Sequence, residues 1–258
     1  MRNVNFRIGA GNATCKGYLH DDLSAVADSY RHRPCVIVLP GGAYQHLSLR
    51  ETDPAVLPLL ASGYQVFVLS YSLSEEIAVS APEEELALSV RRIKESAEEW
   101  DVDRDRIALL GFSAGGHLAA SLAVHWRRYG ELSRPDSAVL CYPVITTGAY
   151  THKATAFNVT QGRKELYGYY SLETQVTDET IPCFLWHTAE DEAVDVRNSL
   201  MFYSALLEHK VPSELHIYGK GPHGSALGHA ETGPELKILQ SWYSLAETWL
   251  NERWGYCL

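Results

Sequence analysis

Short, uninterrupted apolar runs alternate along this chain with longer stretches in which apolar residues recur at helical spacing. Short runs rich in Val, Ile and Leu are typical of strands covered on both faces of a parallel sheet. The predicted buried strands are Cys35–Leu39, Val66–Leu69, Ile107–Leu110, Ala138–Cys141, Cys183–Trp186 and Leu215–Tyr218. The predicted helices are Glu83–Glu99, Ala114–Trp126, Val194–His209 and Glu235–Leu250. This alternation predicts an α/β fold with a mostly parallel, doubly wound sheet and helices on both faces.

The start of the chain follows a different pattern. Val4, Phe6 and Ile8 alternate with polar residues, which is typical of a strand with one buried face. A second strand near Cys15–Leu19 would pair with it. We therefore expect an antiparallel hairpin at one edge of the sheet.

A second departure lies between Pro143 and Pro182, where no clear strand or long helix is visible. Long irregular connections in compact domains are usually lids or binding loops, so residues 144–181 are predicted to form a short, cap-like excursion over the carboxyl edge of the sheet. Its aromatic residues either stack on sugar rings or pack the excursion onto the sheet, and both interpretations stay open. These aromatic residues are Tyr150, Phe157, Tyr167, Tyr169 and Tyr170.

Composition limits the classes of protein to consider. The chain has 258 residues, 46% apolar and 21% charged, which favours one folded domain spanning residues 1–258. Its formal net charge of −10 opposes binding to phosphate backbones, so no nucleic-acid partner is expected. No apolar run approaches the roughly 20 residues of a membrane span, and no signal-peptide core is visible. We expect a soluble, cytoplasmic protein with no membrane partner.

Two groups of residues have plain structural interpretations. The five cysteines are widely spaced and lie mostly in apolar runs, which indicates buried free thiols rather than disulfides or a metal site. Consecutive glutamates at Glu83, Glu84 and Glu85 favour the start of a helix through its dipole, and we expect them otherwise to form a solvated face. The cysteines are Cys15, Cys35, Cys141, Cys183 and Cys257.

Candidate chemistry begins with a G-x-S-x-G motif around Ser113. The motif spans Gly111 to Gly115 and lies directly after a predicted strand and before a predicted helix. This context is typical of a nucleophile elbow, a sharp turn that exposes the serine above the sheet edge. The helix that follows directs free N–H groups and its positive dipole end at that point. Ser113 is therefore the candidate nucleophile.

A serine nucleophile requires a base and an acid that orients the base, and the elbow predicts the order Ser, acid, His. His223 lies in a glycine-rich loop just beyond a predicted strand and is the candidate base, with His229 as the fallback. Asp191 lies in the middle of the loop after the Cys183 strand and is the candidate acid, with Glu190 next. His187, at the end of that strand, is expected to be structural.

An oxyanion hole requires two backbone N–H groups near the nucleophile. Ala114 supplies one, and the loop that follows the Cys35 strand supplies the other from Gly42 or Ala43. Glycines in this loop permit close approach to a substrate. Tyr44, at the end of the same loop, is the candidate substrate-binding residue.

Taken together, these segments resemble the α/β-hydrolase fold, and more narrowly the small bacterial lipase and acetyl-esterase group that includes acetylxylan esterase-like enzymes. The resemblance covers about residues 35–249 and rests on the motifs around Gly42, Ser113, Asp191 and His223. It implies a carboxylic ester hydrolase that needs no metal or organic cofactor. The implied substrate is a small-molecule ester, with an acetylated sugar or xylo-oligosaccharide first among the alternatives.

Two positions depart from the family pattern, and two other functions stay open. Pro40 stands where many members have the histidine of an H-G-G-G loop, and Asp195 stands where a proline commonly follows the acid loop. An arylformamidase has a similar oxyanion loop, and an inactive binding module could use the same fold. A homo-oligomer is possible.

Overall fold

One eight-stranded sheet runs through the protein. The computed structural model describes residues 1–9, 11–26, 30–73 and 80–256. The strand order is β1-β2-β4-β3-β5-β6-β7-β8, with β1 and β2 antiparallel to their neighbours and all other pairs parallel. This confirms the predicted, mostly parallel sheet and its edge hairpin. The strands are β1 (Arg2–Arg7), β2 (Thr14–Leu19), β3 (Arg33–Leu39), β4 (Gln65–Ser70), β5 (Val102–Phe112), β6 (Ser137–Cys141), β7 (Cys183–Thr188) and β8 (Ser213–Tyr218).

Helices cover both faces of the sheet because alternate residues of the central strands point in opposite directions. In β3, Cys35, Ile37 and Leu39 belong to one apolar cluster, whereas Val36 and Val38 belong to the other. Helices α2, α4 and α7 pack on the first face, and α1 and α8 pack on the second. The helices are α1 (Asp53–Ala61), α2 (Ala81–Glu95), α3 (Ala97–Trp100), α4 (Ala114–His125), α5 (Lys153–Thr160), α6 (Tyr167–Tyr170), α7 (Arg197–Glu208) and α8 (Ser241–Trp254).

Two helices, α7 and α8, begin later than their sequence patterns predict. Helix α7 begins at Arg197 rather than Val194, because Asp191 Oδ1 accepts hydrogen bonds from the N–H groups of Ala193 and Val194. Helix α8 begins at Ser241 rather than Glu235, and the preceding residues form turns.

The excursion contains only short helices, as its sequence predicts. Over residues 144–181 the structure has α5, α6 and 3₁₀ turns, with no strand. Some aromatic residues of the excursion pack onto the protein, and others stay accessible for stacking on a sugar ring. Tyr170 is buried, and the ring of Tyr169 stacks on that of His125 with centroids 4.1 Å apart. Tyr150 and Phe157 are 37% and 61% exposed. Packing onto α4 therefore explains part of the set, and two rings stay accessible.

The predicted solvated face at Glu83–Glu85 is wrong for two of its three residues. Glu84 is exposed, but Glu83 and Glu85 are buried. Glu83 accepts hydrogen bonds from the hydroxyls of Ser121, Tyr129 and Tyr169, and Glu85 accepts them from the backbone and side chain of Ser72. These donors come from other elements, so the local sequence carried no signal of the burial.

The remaining structural expectations concern thiols, metals and membranes. Cys15, Cys35, Cys141 and Cys183 are free and buried, as predicted, whereas Cys257 lies outside the described residues. Within the described ranges, no group of three or more His, Cys, Asp or Glu side chains is arranged to hold a metal ion. None of the helices there has the length and apolar character that crossing a membrane requires.

Candidate active site

Ser113 occupies a sharp turn between β5 and α4. Its backbone has φ +53° and ψ −114°. Residues other than glycine rarely adopt this combination, so tertiary contacts must hold it in place. The turn fits because Gly115 has no side chain: a Cβ there would lie 2.1 Å from the carbonyl oxygen of Leu39. The predicted strand-turn-helix context is therefore present.

The three candidate catalytic side chains form one hydrogen-bonded chain. Ser113 Oγ lies 2.8 Å from His223 Nε2, and His223 Nδ1 lies 2.7 Å from Asp191 Oδ2. An ionised carboxylate only accepts hydrogen bonds, so Nδ1 carries the imidazole proton and Nε2 is left to accept the hydroxyl proton of Ser113. The arrangement places a base beside the nucleophile and fixes the tautomer of that base.

Asp191 is held as an ionised carboxylate. Burial of the side chain raises its pKa, but hydrogen bonds from His187 and His223, the charge of His223 and the N–H of Val194 lower it more. The result is a pKa well below the usual range of an aspartate. Near neutral pH, Asp191 is therefore ionised and accepts the hydrogen bond from His223.

His187 has a structural role, as expected, because its contacts are with the protein interior. It is fully buried, its Nε2–H donates to the carbonyl of Val194 at 2.9 Å, and its Nδ1 lies 2.8 Å from the hydroxyl of Ser199. Nε2 is also 3.2 Å from Asp191 Oδ2. His187 thus supports the loop that carries Asp191 and the carboxylate itself.

The weaker candidates for acid and base lie apart from the Ser113–His223 pair. Glu190 is exposed, and its carboxylate accepts a long hydrogen bond of 3.4 Å from the N–H of Gly221. His229 is exposed in the turns that precede α8. Asp195 pairs with Arg197 at the start of α7.

The predicted oxyanion loop lies against the nucleophile. A Cβ at Gly41 would lie 2.9 Å from the Cβ of Ser113, and Gly42 has φ +126°, a conformation that favours glycine. The carbonyl of Gly42 accepts from the N–H groups of Gln45 and His46, and that of Ala43 accepts from the side chain of Asn158. Neither Gly42 nor Ala43 uses its own N–H in any hydrogen bond found among the described residues, so both remain candidate donors with Ala114.

Tyr44 is not brought to the cleft. Its side chain is 2% exposed, and its hydroxyl donates to His117 Nδ1 at 3.0 Å. His117 Nε2–H in turn donates to the carbonyl of Tyr170 at 3.2 Å. The pair joins the oxyanion loop, the elbow helix and the excursion, so Tyr44 supports the loop from behind instead of presenting a surface to a substrate.

His117 gives the fold a dependence on pH. Burial lowers its pKa from 6.5 to about 4, and the hydrogen bond to Tyr170 only partly opposes this. Between these two values the unfolded chain binds a proton that the folded chain excludes, so stability falls as pH drops from about 6.5 to about 4. We expect this group alone to remove about 3 kcal/mol of the free energy of unfolding.

Urea unfolding of the wild type and of His117→Gln at about pH 7 and about pH 4.5 measures this contribution. The amide of glutamine donates and accepts as neutral histidine does but does not titrate. The variant should lose less stability on acidification than the wild type. Equal losses in the two proteins would contradict the prediction.

One buried group in the site, Glu51, is not indicated by any sequence pattern. It is 2% exposed, accepts from the N–H of Gly41 and from the hydroxyl of Tyr142, each at 2.7 Å, and lies beside the catalytic cleft. Burial raises the pKa of Glu51, and the hydrogen bonds from Tyr142 and Gly41 and the charge of His223 oppose that rise. Its partners come from distant elements, so no local pattern could have identified it.

A cleft of about 270 Å³ opens above Ser113 and His223. Its walls combine polar and apolar surface and come from the oxyanion loop, the segment before α1, the excursion and the loop that carries His223. The lining residues are Gly42, Ala43, His46, Ser48, Arg50, Glu51, Ser113, His152, His223 and Gly224.

Two family models match the chain. The model of the BD-FAE family matches residues 22–132, and that of the prolyl oligopeptidase family matches residues 89–248. The second match includes Ser113, Asp191 and His223. An acetylxylan esterase from Xylanibacter ruminicola is 30% identical over 201 residues, or 75% of this chain. The chain spans only 35% to 41% of the length of the curated relatives that it matches.

Solved structures match over nearly the whole chain. An acetyl ester-xyloside bifunctional hydrolase from Caldicellulosiruptor lactoaceticus has a TM-score of 0.84 and 33% identity, covering 95% of this chain and 89% of its own. A carboxylesterase from Lactobacillus plantarum has a TM-score of 0.87 and 28% identity, covering 100% of both chains. These matches have the α/β-hydrolase fold that the sequence motifs predict.

Proposed function

We propose that this chain, which belongs to the α/β hydrolases of the prolyl oligopeptidase family, is a carboxylic ester hydrolase that removes short acyl groups, above all acetyl, from sugars or xylo-oligosaccharides. The hydrogen-bonded chain Ser113–His223–Asp191 at the floor of the cleft is the observation that carries the proposal. In this proposal the three residues act as a catalytic triad.

Acylation follows from the positions of the protons. His223 Nε2 takes the hydroxyl proton as Ser113 Oγ attacks the ester carbonyl, and Asp191 stabilises the imidazolium that forms. The N–H of Ala114 and that of Gly42 or Ala43 donate to the oxyanion, each contributing about 3 kcal/mol. The imidazolium then protonates the leaving alcohol as the tetrahedral intermediate collapses to an acyl-enzyme.

Deacylation repeats the same steps with water. His223 takes a proton from a water molecule that attacks the acyl carbonyl, and the oxyanion again lies among the backbone N–H groups. The imidazolium returns its proton to Ser113 Oγ as the carboxylic acid leaves. The cycle restores every group to its starting protonation state.

Two features of the cleft support a small acyl group and a polar alcohol. The cleft measures about 270 Å³, and the longest helix of the excursion beside it, α5, has only eight residues. His46, Arg50 and His152 supply hydrogen-bonding side chains around Ser113. Such groups suit the hydroxyls of a sugar better than a long hydrocarbon. The acetyl esters named for two relatives agree with this choice.

We expect activity to fall steeply with acyl length. In a p-nitrophenyl ester series, kcat/KM should drop by about tenfold or more between butyrate and octanoate, because a short cleft cannot bury the additional methylenes, each worth about 0.8 kcal/mol. The leaving group is constant, so the series isolates the acyl side. Faster hydrolysis of laurate than of acetate would refute the short acyl site.

One panel of substrates distinguishes the proposed sugar esterase from the alternative hydrolases. Acetylated xylo-oligosaccharides, N-formylkynurenine and a peptide p-nitroanilide test a sugar esterase, an arylformamidase and a peptidase, respectively. We expect the highest kcat/KM on the acetylated xylo-oligosaccharides. A higher value on either amide would overturn the proposed substrate class. An inactive binding module would hydrolyse none of these compounds, and a fluorophosphonate would not label its Ser113.

A further inference from the structure

Glu51 is a buried carboxyl group beside the cleft that the catalytic steps above leave unused. Its Oε2 accepts the N–H of Gly41, and its Oε1 accepts the hydroxyl of Tyr142. Both partners donate hydrogen bonds. A carboxylate satisfies both at once, whereas an amide must direct its NH₂ group at one of the donors. The site is therefore built for a carboxylate.

The two hydrogen bonds of Glu51 lead to two different loops near Ser113. Gly41 begins the oxyanion loop and lies against the Cβ of Ser113. Tyr142 leads to the second loop, because its hydroxyl accepts the N–H of Ala226 at 3.2 Å, three residues beyond His223. The ring of Tyr142 packs edge-on against the His223 imidazole, with centroids 5.1 Å apart. One carboxylate thus connects the oxyanion loop with the loop that carries the base.

We propose that Glu51 is a positioning residue, an ionised carboxylate that holds the oxyanion loop and the His223 loop in register around Ser113 and whose charge favours the His223 imidazolium. The proposal rests on the catalytic roles proposed above for Ser113 and His223. Misplacing reacting groups by about 1 Å costs about 100-fold in rate, so a residue that fixes both loops has a large effect without touching the substrate.

Other ionisable groups also surround His223 and must be separated from Glu51. Asp191 contacts the imidazole directly, and His187 lies behind that carboxylate. Histidines and an arginine approach across the cleft, and two exposed glutamates lie on the acid loop. These further groups are His46, Arg50, His152, Glu190 and Glu192. Among them all, Asp191 and Glu51 are the carboxylates that lie buried beside His223.

Glu51→Gln tests the proposal with p-nitrophenyl acetate as the probe. We expect kcat to fall by about 100-fold with KM within about threefold, because the loops that complete the transition state are displaced while the cleft persists. Removing a negative charge near the imidazolium should also move the midpoint of the acid limb of kcat/KM to lower pH. A purely structural role would lower the rate by the same factor at every pH and leave that midpoint unchanged.

Glu192→Gln is the matched control, because Glu192 is exposed on the acid loop and its replacement removes the same charge. We expect its kcat and acid limb to match the wild type. If Glu51→Gln behaves like this control, or loses rate without a shift of the acid limb, the proposal fails. A shift of equal size in both variants would also overturn it, since the effect would then come from net charge alone.

Tyr142→Phe keeps the proposal testable if Glu51→Gln does not fold. It removes one hydroxyl and leaves the bond from Gly41 to Glu51 in place. We expect a kcat about tenfold below the wild type, and an unchanged kcat in folded Tyr142→Phe would overturn the proposal. Fluorophosphonate labelling of each variant separates this result from the proposed function. Turnover without labelling of Ser113 would refute the triad. Labelled Ser113, together with a Glu51→Gln variant whose kcat and acid limb equal those of the wild type, would refute only the role of Glu51.

Discussion

Ser113→Ala should reduce kcat for p-nitrophenyl acetate by about 10⁵- to 10⁶-fold while leaving the fold intact. Alanine removes the oxygen that forms the acyl bond. The groups that remain, the oxyanion donors and the cleft, account for only a small residual rate. The strained backbone at φ +53° is common to both residues, so the change removes chemistry without adding strain. Steady-state kinetics on protein of matched unfolding midpoint gives the result.

The histidine variants provide the control for this prediction. His223→Ala should lower kcat by a similar factor, and the double variant with Ser113→Ala should be no slower, because the residues act as one unit. His229→Ala changes an exposed histidine of the neighbouring turns and should retain kcat within about twofold. If His229→Ala lost its kcat and His223→Ala kept it, His229 would be the base instead of His223.

Asp191→Asn should reduce kcat by about 10⁴-fold. The remaining oxygen of asparagine can still accept from the N–H groups of Ala193 and Val194, which keeps the loop in place. Its NH₂ group then faces His223 Nδ1, so the imidazole must accept there and carry its proton on Nε2. That tautomer cannot take the proton of Ser113. The same kinetic assay measures the loss, with circular dichroism to show that the fold persists.

Glu190→Gln is the comparison for the acid. Glu190 is next to Asp191 in sequence but is exposed, and its carboxylate accepts a long hydrogen bond from the N–H of Gly221. We expect its kcat within about threefold of the wild type, since the residue neither orients the base nor supports the buried carboxylate. If Glu190→Gln abolished turnover and Asp191→Asn did not, the assignment of the orienting acid would be wrong.

The central strands and the elbow could be predicted because their signals are local. The runs in β3, β6 and β7 are apolar throughout, since both faces of these strands are covered. The elbow is a contiguous motif whose glycines permit close backbone contacts. The sequence pattern does not predict helix α1, because Pro54 and Pro58 interrupt its helical spacing, although Pro54 lies in the first turn, where a proline is tolerated.

Contacts between distant segments could not be predicted from any local pattern. Glu51 is 10 residues from Gly41 and 91 residues from Tyr142, and nothing near it in sequence distinguishes it from a surface glutamate. Glu83 shows the same difficulty: its donors come from α4 and from the segments that follow it, including the excursion. The place of Tyr44 in the oxyanion loop predicts contact with the substrate, but the fold turns its side chain inward toward His117.

A trapped acyl-enzyme shows directly whether Ser113 is the nucleophile. The wild type is mixed with p-nitrophenyl acetate, quenched with acid during turnover, digested and analysed by mass spectrometry. We expect an acetyl group attached to Ser113, at most one per molecule, and none on the same peptide of His223→Ala quenched at the same time. An acetyl group on another residue, or sustained turnover with Ser113 unmodified, would contradict it.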